Sequence, residues 1–473
     1  MGTPVTGVMA SPCISFVKPR TPCVRLGSKY NATFNVTLFP MRVSHRMQHT
    51  ARPRIAFLAA GFIQWTGGLD FLRLCVGSID SVLPGTTWPV LVPDDTVSQR
   101  ALALAVATKR RIFSLAGVQP AVTPPVSKDH LRDAISTTGC SIETQSYYGS
   151  RRGLSRAIRS LDAQVVLPSM LSLGQHFPHH WIGYIADLQH KRLPGNFSQR
   201  ECRERDRNFG ALLADARALI VNSKSVVRDI EEFYPHSKAT LFSLPFCPPA
   251  NPALLDNVGE DALRAYTLPE KFFIISNQFW VHKSHQTAFD ALRLVRDAGL
   301  ADVHILCTGN LHDYRAPGYV DRLRDGITRD GLTDRIHFLG MIPKRHQLAV
   351  MRRSVAVVQP TLFEGGPGGG ALYDGVSTAT PVILSDIDVN READLGVIEF
   401  FRAGSAEDLA QKMVAALRNP PQRLTVEATL SMLRQRQRQM GETLLQVISF
   451  VMGSSASTES NNSQGIQHTP VGL

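Results

Sequence analysis

Short apolar runs alternate with amphipathic stretches along most of the chain. In the first half, runs that predict buried strands occupy 54–60, 88–92, 164–168, 181–186, 218–222 and 239–244. In the second half, equivalent runs occupy 272–276, 303–308, 336–340, 355–359 and 381–385. Patterns that predict helices begin near Leu69 and cover 98–116, 224–233, 285–298, 317–327, 345–353, 369–378 and 406–418. This alternation is typical of parallel sheets that are covered by helices on both faces.

A cluster of prolines interrupts the alternation between the two halves: Pro245, Pro248, Pro249 and Pro252. Such a cluster is typical of a linker, which we place at 246–270. We therefore predict an α/β fold of two doubly wound, Rossmann-like domains, at 54–245 and 271–423. A last amphipathic helix is predicted at 424–452. Ligands of such sheets bind outside the carboxyl ends of the strands, so two facing domains form a cleft.

The net charge of +11, from 51 Lys+Arg against 40 Asp+Glu, belongs mostly to the N-terminus. Residues 1–54 contain eight basic residues and no acid, which leaves 43 basic against 40 acidic residues in the rest. We predict a disordered basic extension over 1–53. An organelle transit peptide and a true start at Met41 or Met47 are the alternatives. The body is nearly neutral, so we expect no nucleic-acid partner. The polar segment 453–473 is predicted to be disordered.

Cysteine usage and hydropathy bear on the cellular location. The seven cysteines are scattered without a C-x-x-C pair, which suits a reducing compartment. No apolar run approaches the roughly 20 residues needed to cross a bilayer. We expect a cytoplasmic protein. Peripheral contact with the inner membrane face, through basic residues of helices 98–116 and 424–450, stays open. His176, His179 and His180 have no zinc-like spacing, so no metal site is predicted.

The most informative stretch is a glycine-rich loop after the predicted strand at 355–359. Glu364 precedes five glycines within six residues: Gly365, Gly366, Gly368, Gly369 and Gly370. Asp374 lies in the helix that follows. Glycines let the backbone approach a ligand, and a helix N-terminus attracts phosphate. Carboxylates suit sugar hydroxyls. The loop therefore predicts a nucleotide-sugar site, with a purely structural glycine turn as the alternative.

These residues resemble the family-4 glycosyltransferases (glycosyl transferases group 1), which have the GT-B fold. That family has an acid, a short Gly-containing loop, a second acid eight positions on, and a Thr-Pro-Val-Ile-like strand, which matches 380–383 here. Asp374 falls on the second acid, and Glu364 lies ten positions before it. The resemblance implies that Glu364 contacts the transferred sugar and Asp374 the ribose. It assigns donor contacts to Gly366, Gly368, Gly369 and Gly370, and it implies that helix 424–452 packs back on the N-terminal domain.

Further matches flank the predicted cleft. In the segment 276–285, Lys283 falls on a family Lys that contacts the donor diphosphate, and Gln278 falls on a family Arg with the same role. Gly67 and Gly68 occupy the first strand-to-helix turn, which the family places near the donor phosphate or the acceptor. Asp187 and His190 follow the predicted strand 181–186. Either could orient the acceptor hydroxyl or contact the sugar.

The resemblance implies a glycosyltransferase of the hexosyltransferase type, retaining and metal-independent, without a cofactor. Its donor would be a nucleotide sugar, and its acceptor a glycan, a lipid-linked molecule or a small molecule, in polysaccharide or glycoconjugate biosynthesis. A sugar-nucleotide epimerase or hydrolase of the same fold is one alternative. A non-catalytic sugar-nucleotide-binding protein is another, because Gln278 is uncharged.

Overall fold

A computed structural model describes residues 52–63, 66–94, 139–251 and 263–453. Within them, the first sheet contains seven parallel strands in the spatial order β3-β2-β1-β4-β5-β6-β7. The strands are β1 (Ile55–Leu58), β2 (Trp88–Asp94), β3 (Ile142–Tyr148), β4 (Val165–Ser169), β5 (His180–Ile185), β6 (Ala218–Val221) and β7 (Thr240–Ser243). The helices described around this sheet are α1 (Thr66–Val82), α2 (Arg151–Ser160), α3 (Gln189–Arg192), α4 (Gln199–Asp215) and α5 (Lys224–Phe233).

The second sheet contains six parallel strands in the described residues, in the order β10-β9-β8-β11-β12-β13. The strands are β8 (Phe272–Ser276), β9 (His304–Thr308), β10 (Ile336–Gly340), β11 (Val357–Gln359), β12 (Val382–Ser385) and β13 (Ile398–Phe401). Its helices are α6 (His285–Asp297), α7 (Tyr319–Arg329), α8 (Lys344–Arg353), α9 (Gly369–Ser377) and α10 (Ala406–Arg418), and a long helix, α11 (Val426–Met452), follows.

Both sheets are buried on both faces, as their apolar strands predict. Alternate residues of a strand point to opposite faces. In β1, Phe57 packs into one core cluster and Leu58 into another. In β8, Phe273 and Ile274 divide between two further clusters in the same way. The prediction of two doubly wound, Rossmann-like α/β domains is confirmed.

Helix α11 contacts the cores of both halves. Its early residue Leu433 joins a core cluster of the second sheet, together with Phe246 and Phe272. Its later residues Leu444 and Val447 join the cluster of the first sheet, and the helix packs along α1. Among the described residues, none of the helices is both long and apolar enough to span a bilayer.

The sequence patterns located the central strands but missed the edge strands β3 and β13 and the polar helix α4. Strand β3 forms a sheet edge and buries only Tyr147, so it has no apolar run. Helix α4 is rich in charged residues and buries only Leu212 and Leu213. Helix α1 begins at Thr66, three residues before the predicted start near Leu69. The prediction started at the first apolar residue, and the residues before Leu69 are a threonine and two glycines. The predicted helix at 98–116 lies outside the described residues.

Candidate functional site

Two central strands of the second sheet, β8 and β11, are neighbours, and their carboxyl ends carry a hydrogen-bonded amide pair. Asn277, just after β8, donates from Nδ2 to Oε1 of Gln359 at the end of β11. Gln359 in turn donates from Nε2 to the carbonyl of Gly368 at 2.6 Å and to Oε1 of Glu364 at 3.2 Å. The glycine-rich loop is therefore fastened to the sheet through one buried side-chain amide.

Lys283 and Glu364 form an ion pair at this edge. Lys283 ends a short 3₁₀ helix, Val281–Lys283, that follows β8. Its Nζ lies 2.5 Å from Oε1 of Glu364, and each side chain is only 10% exposed. An ammonium group has three donors, so the contact with Glu364 leaves others for a ligand. Removing two charges from water is costly, so a nearly buried ion pair adds little to the stability of the fold. Such a pair is more typical of a ligand-binding or catalytic site.

The loop brings the N-terminus of α9 to the same place. Gly368 and Gly369 have φ values of +58° and +55°, the left-handed region that favours glycine. A Cβ on Gly369 would lie 2.8 Å from Oε2 of Glu364, so any other residue would displace the carboxylate from this position. Gly370, in the first turn of α9, is exposed. The N–H groups of Gly368 and Gly369 are already hydrogen-bonded to Asn390 and to the carbonyl of Gly366, but that of Gly370 has no partner among the described residues. With Lys283 beside it, this turn can bind an anion.

Asp374, the second acid, is buried and hydrogen-bonded within the second domain. Its Oδ2 accepts from Nζ of Lys344 at 2.5 Å and from Nε2 of Gln347 at 3.1 Å. Burial raises the pKa of Asp374, although Lys344 and Gln347 act to lower it. Burial works to lower the pKa of Lys344, but the charge of Asp374 outweighs it and the pKa is raised. The Oδ1 atom of Asp374 accepts no hydrogen bond from any described residue, which leaves it available to a hydroxyl.

The first domain meets the glycine-rich loop directly. A Cβ on Gly365 would lie 2.3 Å from the carbonyl oxygen of Ala186 and 2.7 Å from Cβ of Asp187, so glycine is required for this approach. Ser223, at the end of β6, donates from Oγ to the carbonyl of Gly365 at 2.8 Å. The carboxyl ends of β5 and β6 therefore face those of β8 and β11 across a narrow cleft.

A carboxylate of the second domain occupies a helix N-terminus of the first. Glu392 accepts from the backbone N–H groups of Lys224 and Ser225 at 2.7 Å each, at the start of α5. It also accepts from Oγ of Ser225 at 2.9 Å. Carboxylates are stabilising at this position because the N–H groups lack helical partners and the helix dipole is positive there. Glu392 thus holds the two domains together beside the cleft.

A second polar bridge between the domains runs through Gln189. Its side-chain amide donates from Nε2 to Nε2 of His282 at 3.1 Å, and its Oε1 accepts from Nη1 of Arg315 at 3.2 Å. Burial lowers the pKa of His282 to about 2, with the charges of Lys283 and Arg315 acting in the same direction. His282 is therefore neutral and accepts from the amide. The guanidinium of Arg315 also packs 4.7 Å from the ring centre of Trp280.

Not all of the predicted site residues lie at the cleft. Asp187 lies beside Gly365, and its Oδ1 accepts from the backbone of Gln189 at 3.0 Å. His190 instead lies inside the first domain, where its Nε2 is 3.0 Å from Oδ1 of Asp206 and its ring packs on Phe209. Its described contacts include none of the glycine-rich loop. The role predicted for it stays a prediction without support from its contacts.

The remaining predicted site residues are Gln278, Gly67 and Gly68. Gln278 is exposed, and its side chain makes no hydrogen bond with the part of the chain that the structure describes. Gly67 and Gly68 lie in the first turn of α1 rather than in a preceding loop. The charge of Asp70, one turn further, raises the pKa of both Asp374 and Lys344, so this end of α1 lies near the second acid.

Several polar residues of the cleft were not predicted from the sequence: Gln189, Ser223, His282, Arg315, Lys344, Gln347, Gln359 and Glu392. Most are defined by contacts between distant segments, for which one sequence carries no signal. Lys344 is an exception in part, because a Lys that opens a helix directly after a proline is unfavourable for the helix dipole. Among the described residues, no group of three His, Cys, Asp or Glu side chains is arranged to hold a metal ion.

Comparisons with known proteins identify the fold. The sequence matches no protein-family model and no curated protein. Among solved structures, Anabaena HepE, in complex with UDP and glucose, is 13% identical with a TM-score of 0.55, covering 84% of this chain and all of that chain. A glycosyltransferase from Rickettsia africae is 12% identical (TM-score 0.52; 86% of this chain and 100% of that one). Sucrose-phosphate synthase from Thermosynechococcus elongatus is 15% identical (TM-score 0.50; 85% and 97%). The chain therefore has the GT-B fold.

Proposed function

We propose that this protein is a glycosyltransferase that binds a nucleotide sugar in the cleft between its two domains. The observation that carries the proposal is the ion pair of Lys283 and Glu364, 2.5 Å apart and almost buried beside the exposed N-terminus of α9. The pair places a cation and a carboxylate beside the backbone N–H of Gly370, which has no partner among the described residues. A sugar joined to a diphosphate needs these groups side by side.

Each residue has a proposed role in the transfer. Lys283 and the unpaired N–H of Gly370 in the first turn of α9 stabilise the negative charge that develops on the leaving diphosphate. Glu364 accepts hydrogen bonds from hydroxyls of the transferred sugar. Asp374 accepts one from the ribose through its free Oδ1, while Lys344 and Gln347 hold Oδ2 in place.

Lys344 could supply the positive charge that the uncharged Gln278 lacks. The family resemblance expects a second cation on the donor diphosphate, and Gln278 does not supply one. Lys344 lies 2.5 Å from Asp374, and its side chain is half exposed. We propose that it carries the second positive charge of the donor site.

The acceptor side of the cleft is built by the first domain. Asp187 lies against Gly365 and is half-buried. We propose that it orients the acceptor hydroxyl. The direct contacts of Gly365 with Ala186 and of Glu392 with α5 exclude water from the reacting groups, which limits hydrolysis of the donor.

The finer assignments follow the family resemblance. We propose a family-4 enzyme of the hexosyltransferase type that retains anomeric configuration, as the resemblance implies. Lys283 and the α9 N-terminus would supply the positive charge that the leaving group requires. It would use no cofactor and no metal, and would act in polysaccharide or glycoconjugate biosynthesis. The acceptor is a glycan, a lipid-linked molecule or a small molecule. A cytoplasmic location with peripheral contact at the inner membrane face suits such acceptors.

A screen of nucleotide sugars tests the proposal. UDP-glucose is the first donor to try, because the Anabaena protein was also solved in complex with it. Thermal-shift binding should be followed by detection of the released nucleoside diphosphate with and without candidate acceptors. We expect a donor that stabilises the protein and is consumed faster when acceptor is present. Consumption that acceptors never accelerate would identify a hydrolase, and binding without turnover would identify a non-catalytic protein.

A further inference from the structure

A basic pocket lies in the first domain, apart from the cleft. It has a volume of about 460 Å³ and is formed by one face of α2 and the segment 173–178. Five basic side chains line it: Arg151, Arg152, Arg156, Arg159 and His176. The lining contains no acidic residue and none of the residues assigned to the donor site. Its volume is within the range of small-ligand sites, roughly 300–1,000 Å³.

The residues that the structure describes do not neutralise the positive charge of this pocket. Arg152, Arg156 and Arg159 are exposed, and none of their guanidinium groups makes a hydrogen bond or an ion pair with any described residue. Elsewhere in the same domain, arginines such as Arg54 and Arg192 are paired with carboxylates. The pocket is therefore a local concentration of free guanidinium groups.

Helix stability does not account for this arrangement. Arg152 and Arg156 are four residues apart on α2, and like charges at that spacing destabilise a helix. Arg151 and Arg152 also stand in the first turn, where the helix dipole disfavours cations and no acid compensates. A ligand that brings negative charge would relieve both costs.

The walls of the pocket are held together by hydrogen bonds. Arg151 donates from Nη2 to the carbonyl of Ser172 at 3.1 Å, which fixes its guanidinium at the start of the segment 173–178. On the other side, Oγ of Ser155 and Nε2 of His179 lie 2.9 Å apart and tie the end of this segment to α2. The cavity is thus formed before any ligand arrives.

We infer that this pocket binds a phosphate or diphosphate group of a ligand other than the donor in the cleft. Guanidinium groups are planar forks that bind phosphate oxygens through two parallel hydrogen bonds. Three free guanidinium groups around one cavity, with the N-terminus of α2 at its edge, match the charge and the oxygens of such a group. The phosphate belongs either to a soluble molecule or to a lipid headgroup.

Calorimetric titration with inorganic pyrophosphate tests the inference on the full chain. The test variant is R152A/R156A, and the matched control is R203A/R207A, which removes two exposed arginines at the same spacing from α4. We expect saturable binding that weakens about tenfold or more in the test variant and is unchanged in the control. Equal affinity in both variants, or no binding by the wild type, would overturn the inference. Circular dichroism melting verifies that both variants are folded.

Two further arms separate this pocket from the donor site and identify the source of the phosphate. Because pyrophosphate can also occupy the cleft, the titration is repeated on Lys283→Ala, which should keep the binding that depends on Arg152 and Arg156. Loss of all binding in Lys283→Ala would assign the site to the cleft and overturn the inference. Co-sedimentation with vesicles of equimolar phosphatidylcholine and phosphatidylglycerol, if lost in R152A/R156A, identifies a lipid headgroup. Pyrophosphate binding without vesicle binding identifies a soluble ligand.

Discussion

Nζ of Lys283 lies 2.5 Å from Oε1 of Glu364, although the two residues are 81 positions apart in sequence. Both side chains are nearly buried, so each charge depends on the other for compensation. A donor diphosphate would enter beside this pair and share the ammonium group. In the proposed donor complex, the pair would couple the carboxylate assigned to the sugar to the cation assigned to the phosphate.

Replacing Gly369 by Ala should weaken donor binding. The new Cβ would lie 2.8 Å from Oε2 of Glu364 and force the carboxylate out of position. Gly404→Ala is the matched control, because Gly404 also has a positive φ (+78°) but a Cβ there would meet no atom within 4 Å. Backbone strain should cost each variant about 1 kcal/mol of stability. Titration with the donor should show weaker binding by Gly369→Ala than by Gly404→Ala. Equal affinities would show that the contact between residue 369 and Glu364 does not control donor binding.

Asp374→Asn should weaken nucleotide binding. The amide would remove the negative charge that Lys344 and Gln347 hold in place, and with it a strong acceptor for the ribose. Asp321→Asn, an exposed acid of α7, serves as the control. Titration with the nucleoside diphosphate and with free sugar phosphate should show a loss of about tenfold for the nucleotide alone. Wild-type affinity in Asp374→Asn would remove the ribose assignment.

Much of the fold could be predicted from apolar periodicity, because both sheets are buried on both faces. Strands β1 and β8 are continuous apolar runs for that reason. Strand β3 was missed because an edge strand needs little apolar surface. Glu364, Asp374 and Lys283 were predicted as donor-site residues from local spacing, and the structure places Lys283 and Glu364 in contact. Glu392 was not, because its partner helix α5 begins 168 positions away and nothing in the local pattern marks the contact.

Glu392→Gln should lower the thermal stability of the protein. The change removes the charge that Lys224 and Ser225 bind through their backbone N–H groups at the start of α5. Loss of this contact should cost about 1–2 kcal/mol, the range for a carboxylate at a partly buried helix N-terminus. Glu399→Gln, an exposed acid of the same domain that pairs with Lys412, should have little effect. Indistinguishable melting midpoints would show that Glu392 does not hold the domains together.

The protein should lose stability as the pH falls below about 6.5, partly through His285. Its ring is buried and stacks on Phe279 with 4.0 Å between centres, and neither ring nitrogen has a partner in the described residues. Burial lowers its pKa to about 3, so between about pH 3 and 6.5 the unfolded state binds more protons than the folded state. Protonation then favours unfolding, by about 1.4 kcal/mol per pH unit for one such group.

Urea unfolding at pH 7 and pH 5 measures this effect. His285→Phe keeps an aromatic ring against Phe279 but cannot be protonated, so its stability should fall less between the two pH values than that of the wild type. Exposed His236 provides the control, and His236→Phe should follow the wild type. A parallel decline in His285→Phe and wild type would contradict the assignment.

The central claim is that Lys283 binds the donor diphosphate, and calorimetric titration of its variants with the nucleotide sugar found in the screen tests it most directly. Lys283→Ala also leaves Glu364 as an unpaired buried charge, so K283A/E364Q is included to separate that effect from loss of the phosphate contact. Lys412→Ala is the control for an exposed lysine. We expect Lys283→Ala and K283A/E364Q both to bind the donor at least about tenfold more weakly than wild type, and Lys412→Ala to bind normally. Wild-type affinity in Lys283→Ala, or its full recovery in K283A/E364Q, would contradict a phosphate contact by Lys283.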